Sequence, residues 1–209
     1  MIVRALLLWW WAGVTQDDAA LTRIQTMVAR PNIMCGDFDQ QKSLVGLRRP
    51  VQSSGRFCVA RDRGILWSTR KPFPATLRLS RSEIVESQGD RVTMRLSTRD
   101  EPTVGIISEM LFSVLAGDVN GLRNGFVIEA STEASTWHAR LVPKDAGMRR
   151  VVGAIELSGS EYVKQITITE ASGDRTVVAF AGFVTGASAL LPDEARVLNA
   201  PAGAGKPPR

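Results

Sequence analysis

The chain has 209 residues, a formal charge of +5, 44% hydrophobic residues and 22% charged ones. That is the composition of a folded globular chain, not of a disordered or fibrous one. A single histidine, His138, and two cysteines, Cys35 and Cys58, exclude the common four-ligand zinc sites and leave little for histidine-dependent catalysis.

Arg4 is followed by the apolar run Ala5-Leu6-Leu7-Leu8-Trp9-Trp10-Trp11-Ala12-Gly13-Val14. The run is too short to span a bilayer core and right for the apolar part of a signal peptide. A buried helix or a membrane-surface anchor is the alternative. Gln16, Asp17 and Asp18 follow at once, so residues 1–16 are expected to be an export signal, cleaved between residues 12 and 20. The mature chain is then expected in a periplasm. No cysteine lies near the run, so the chain is not expected to be a lipoprotein itself.

Leu21, Ile24, Met27 and Val28 have helical spacing, with acidic residues in the first turn and a stop at Pro31. Strands are then expected at Met34–Lys42 and Ser54–Arg61, with turn signals at Gly46 and Pro50 between them. If the two form a hairpin, Cys35 and Cys58 could face each other as a disulfide, which a periplasm permits. Two free thiols acting as small buried hydrophobes are the alternative. Phe57 and Val59 alternate with Cys58 and Ala60, Ile65 pairs with Trp67, and Leu77 pairs with Leu79. Further runs of period two place Met94 with Leu96, Phe126 with Ile128, and Trp137 with Ala139 and Leu141. Val151–Leu157, Tyr162–Thr169 and Thr176–Val184 complete the series. The pattern predicts a mainly β protein, an antiparallel sheet of about nine to eleven strands with one apolar face, enough to curl into a half-closed barrel.

One interruption breaks the strands. Ile106, Ile107, Met110, Leu111, Val114 and Leu115 share a helix face between Thr103 and Asn120. That face must cover something, and the concave sheet is the obvious target. Residues 17–198 are read as one lidded domain, and 199–209 as a disordered tail by composition.

The chemistry on offer is sparse. Gly203-Ala204-Gly205-Lys206 lacks the spacing and the hydroxyl of a phosphate loop, and Pro207-Pro208 forbid its helix. Asp37 and Asp39 share a sheet face without a third acidic ligand nearby. His138 falls on the polar face of its strand, with no announced nucleophile or orienting group. No enzyme activity, cofactor or metal is expected. Arg48-Arg49 and Arg149-Arg150 fall in turns, while Arg78, Arg91, Arg95 and Arg140 alternate with apolar residues and are expected on the outer face. Without aromatics interleaved there, a nucleic-acid platform is not expected. A basic outer face suits acidic partners or anionic headgroups instead. Arg61 is the exception: by alternation it falls on the apolar face with Phe57 and Val59. A charge there is costly unless it is hydrogen-bonded or reaches the rim.

The stretch Ser54-Gly55-Arg56-Phe57-Cys58-Val59-Ala60-Arg61-Asp62-Arg63-Gly64-Ile65-Leu66-Trp67, continuing to Pro72-Phe73, resembles the signature hairpin of the LolA-type periplasmic lipoprotein carriers. Phe38-Asp39-Gln40 resembles the first strand of that family, and Ile106–Leu115 falls where it carries a lid helix. The resemblance implies a half-closed barrel capped by helices, whose cavity takes acyl chains from an inner-membrane transporter and hands them to an outer-membrane acceptor. It implies a monomer with lipoprotein or another lipid as cargo. Arg61 matches the family arginine that hydrogen-bonds lid backbone and holds the closed state. Phe57, Val59, Ile65, Trp67, Leu77, Leu79, Met94 and Leu96 are expected to line the cup. Leu21, Ile24, Val28, Ile107, Met110, Leu111 and Val114 are expected on the lid face. Ser80-Arg81-Ser82-Glu83 departs from the family's turn, and the cysteine pair is unexpected there. A lipid- or peptide-sensing adaptor on the same half-barrel is the alternative function.

Overall fold

Eleven strands hydrogen-bond into one antiparallel sheet in the computed structural model, which describes residues 16–100, 110–115, 118 and 121–200. Helix α1 (Gln16–Met27) leads into β1 (Ile33–Ser43), β2 (Val51–Ala60), β3 (Gly64–Lys71), β4 (Ala75–Leu79), β5 (Glu83–Gln88) and β6 (Arg91–Ser97). Residues 110–115 are helical and are called α2. The chain continues through β7 (Phe126–Glu133), β8 (Thr136–Pro143), the short α3 (Ala146–Arg149), β9 (Val152–Gly159), β10 (Val163–Glu170) and β11 (Arg175–Thr185), and α4 (Pro192–Asn199) follows. The strand order is β6-β5-β4-β3-β2-β1-β11-β10-β9-β8-β7. Each half is a meander of neighbours in sequence. The two halves meet at the non-local pair β1–β11, where Phe38 lies opposite Phe180. β6 and β7 remain the edges, so the sheet is open.

Alternation sorts the side chains onto two faces, as the period of a strand requires. Phe57 and Val59 join the large core with α1, α2 and the inward side chains of the sheet. Their neighbours Cys58 and Ala60 join a second, smaller cluster with Leu66, Ala189 and Leu198 on the opposite face. Aromatic rings cement the first core: Phe38 stacks on Trp67 at 3.9 Å between centroids, and Phe57 meets Phe180 edge-on at 5.0 Å. Gly55 makes the stack possible. It pairs with Phe38, and a Cβ there would sit 2.0 Å from the Ser68 carbonyl oxygen and 2.9 Å from the Phe38 ring.

The outer face differs from expectation. Arg78 is buried, not solvent-exposed. Its guanidinium donates to the Glu83 carboxylate and, at 2.9 Å, to the Ala200 carbonyl oxygen just past α4. Arg95 reaches the other oxygen of Glu83 at 2.6 Å. The reason is α4, whose signals escape the period-two reading and which covers this part of the sheet. Asn199 ends that helix and does not begin the tail; residues 201–209 lie outside the described residues.

Candidate functional site

An apolar cavity of about 270 Å³ lies between the first-core face of the sheet and α2. Ile65 and Trp67 of β3, Leu77 and Leu79 of β4, and Met110, Leu111 and Val114 of α2 line it, as the strand and helix periods predict. The opposite wall was not anticipated. It consists of Ile155 (β9), Ile166 and Ile168 (β10), and Val178 and Phe180 (β11). The alternation of those strands is plain in the sequence, but only the β1–β11 pairing brings them across from β3 and β4. Gln40 and Thr176 supply the polar part of the lining.

Other expected cavity residues fall elsewhere. Phe57 and Val59 are buried in the filled core; Val59 lines only a void of about 10 Å³ with Val28, Met34, Leu115, Tyr162 and Val163. Met94 packs against the core without lining the cavity. Leu96 is 38% exposed; its strand β6 is an edge, with a neighbour on one side only. The lid residues divide as well. Leu21 and Ile24 of α1 and Val28 just after it are buried in the core and fill it, whereas the α2 residues wall the cavity. Ile107 lies outside the described residues.

Arg61 follows β2 and is half-buried. Its backbone N–H donates to the Asn32 carbonyl at 3.0 Å. Its Nε is buried and has no hydrogen-bond partner among the described residues. Tyr162 stacks on Phe183 with centroids 4.9 Å apart. Burial first, and then the charge and hydrogen bond of Glu161, raise the Tyr162 phenol above its ordinary pKa, so it stays neutral.

Cys35 and Cys58 are direct cross-strand partners and form a disulfide, with Cα atoms 4.0 Å apart. Glu194 of α4 covers it, one carboxylate oxygen lying 3.4 Å from Cys58 Sγ. Cys35, Cys58 and Glu194 bring possible ligand atoms within 4.8 Å of one another. With both sulfurs bonded to each other, the three are a structural knot and not a metal site. Glu194 also accepts from Arg56 Nε at 2.8 Å and from the Leu191 N–H at 2.9 Å, which caps α4. Asp37 pairs with Arg70 at 3.4 Å, both exposed. His138 is exposed on the outer face, beside Glu129, Arg140 and Glu156.

An open antiparallel half-barrel with a helix-walled apolar cavity defines the class: a binding fold for an apolar ligand. The model of the family described as outer membrane lipoprotein carrier protein LolA matches residues 31–190. The chain belongs to this family, and the match ends before α4. No curated protein is a significant relative of the chain. Similar solved structures include a LolA superfamily protein from Nitrosomonas europaea, 9% identical, covering 85% of this chain and 95% of its own, with a TM-score of 0.46. A DUF1329 family protein from Desulfovibrio piger is 9% identical, covering 81% and 91%, with a TM-score of 0.43. The Pseudomonas aeruginosa MucA/MucB complex is 17% identical, covering 87% of this chain and 61% of that one, with a TM-score of 0.39.

Proposed function

We propose that this chain is a periplasmic carrier that shields acyl chains in its cavity between inner and outer membrane. The observation that carries the reading is the cavity itself: about 270 Å³, walled by aliphatic side chains and closed on one side by a helix. Its volume is just under the roughly 300–1,000 Å³ of ordinary ligand pockets, and moving α2 would enlarge it. Such a lining asks for no fixed hydrogen bonds, so it suits a chain of methylenes. Each methylene taken from water contributes about 0.8 kcal/mol. A helix that competes for the same wall lowers the net affinity and makes release feasible. Residues 1–16 would be the export signal and 17–198 the carrier. Lipoprotein or another lipid would come from an inner-membrane transporter and leave to an outer-membrane acceptor, with the carrier a monomer.

Arg61 would be the lid lock. A buried guanidinium N–H without a partner costs about 1–3 kcal/mol. That cost is relieved where lid backbone brings a carbonyl to it.

Native mass spectrometry of the protein taken from a periplasm, with uptake of a fluorescent acyl probe by the purified chain, tests the reading. Bound lipid and saturable uptake are expected, with Arg61→Leu altering how fast the probe is released. An unliganded mass together with no uptake would overturn the carrier and leave the sensing adaptor in its place.

A further inference from the structure

The strand order gives the half-barrel two unlike ends. The turns β1–β2, β3–β4, β5–β6, β8–β9 and β10–β11 lie at one end, and β2–β3, β4–β5, β7–β8 and β9–β10 at the other. Counting each turn with the strand residue on either side, the first end carries eight basic and four acidic side chains; the second carries three and four. The excess positive charge is therefore concentrated at one rim. Arg48, Arg49, Lys71, Arg91, Arg150 and Arg175 are exposed there and have no carboxylate partner among the described residues.

Large apolar side chains are exposed at the same rim. Phe73 is 78% exposed and Val45 70%, with Val151, Leu47 and Val51 at 65%, 59% and 50%. Three of the five turns are tied to one another. Val45 N–H donates to Asp174 Oδ1 at 2.8 Å, and the Ala171 N–H donates to the Val151 carbonyl at 3.1 Å. The β10–β11 turn thus ties the β1–β2 tip to the β8–β9 loop. The two polar residues of the cavity lining belong to this end: Thr176 pairs with Lys42, one step from the last pair of β1 and β11, and Gln40 is two residues further in.

We propose that this rim docks on an anionic lipid bilayer, its arginines and lysines against the headgroups and Val45, Leu47 and Phe73 in the interface. Apolar tips set among cations suit that surface. A bilayer takes both at once, cations at its headgroups and apolar tips beneath them, on turns that project separately. Docking would turn the cavity's polar end toward the membrane; that purpose rests on the carrier reading, and the docking itself does not.

Flotation with vesicles of phosphatidylcholine, with and without phosphatidylglycerol, tests it on the full chain. Binding is expected to be much stronger with the anionic lipid and to weaken as salt rises, any binding to neutral vesicles being the share of residues 1–16. At about 1 kcal/mol per cation, Arg48→Gln/Arg49→Gln is expected to weaken binding roughly 30-fold. Phe73→Ser is expected to weaken it at low and high salt alike. Arg63→Gln/Arg81→Gln at the opposite end is the control and is expected to change little. All variants keep residues 1–16, so binding by that apolar run is common to them. Equal binding to neutral vesicles, no binding at all, or an equal loss in the control would overturn the proposal. Acyl-probe uptake in vesicle-free buffer reads the cavity separately, so failure of docking and failure of the carrier reading are distinguishable.

Discussion

Gly55 shows how one residue can set the shape of the inner face. The ring of Phe38 occupies the space a side chain at 55 would need, 2.9 Å from a Cβ built there, and the Ser68 carbonyl lies closer still at 2.0 Å. Gly55→Ala must therefore push backbone as well as ring. A loss of about 1–3 kcal/mol is expected in urea denaturation, the range for an overpacked core. Loss of the Phe38–Trp67 stack is expected to show in Trp fluorescence. Arg61 is the complementary case. Its buried Nε, without a partner among the described residues, makes Arg61→Leu the substitution that removes a polar liability. Unchanged or higher stability is expected on thermal melting, together with altered release of bound lipid. A merely structural arginine would instead lower the melting temperature and leave release unchanged.

α4 is the element the sequence concealed. The period-two strands were legible because each runs several residues with an apolar and a polar face, and the cysteine pair lay at matching distances from a turn. α4 has eight residues and only one of its apolar side chains, Leu198, is buried. It shows no long stripe. It is held by charge instead: Glu194 by Arg56, and the Ala200 carbonyl by Arg78, two arginines that sit far away in sequence. The same distance explains why Arg78 was expected in water. The β9–β11 wall of the cavity was hidden for a related reason: Ile166, Ile168 and Val178 read as core in any strand, and only the β1–β11 register sets them against β3. Two changes test the outer face. Glu194→Ala leaves Arg56 partly buried with the Ala189 carbonyl but no carboxylate, with an expected loss of about 3 kcal/mol, the low end for a broken buried pair. Replacing Cys35 and Cys58 by Ala removes a link across 23 residues of separation, with an expected loss of about 3 kcal/mol. The two sites touch through Glu194 and Cys58. The double-site variant is therefore expected to lose less than the sum of the separate losses.

At the scale of the whole molecule, the question is whether the inner face is a filled core or a container. The structure holds both. The α1 end is packed down to a void of about 10 Å³, while the α2 side keeps about 270 Å³. Added volume should therefore have opposite consequences at the two places. Leu141 is fully buried and lines no part of the cavity, so Leu141→Phe overpacks its surroundings and is expected to lose about 1–3 kcal/mol. Val178 and Ile168 border the open volume. Val178→Phe and Ile168→Phe place their extra atoms in space already present, so little change in urea midpoint is expected, with acyl-probe uptake falling sharply. Equilibrium denaturation and probe titration on the same three variants decide it. If all three destabilise alike, the cavity collapses in solution and the molecule is a core throughout. If the two cavity variants stay stable and stop taking up the probe, the apolar face under α2 is kept open for a ligand, and its volume rather than its stability limits what the protein can hold.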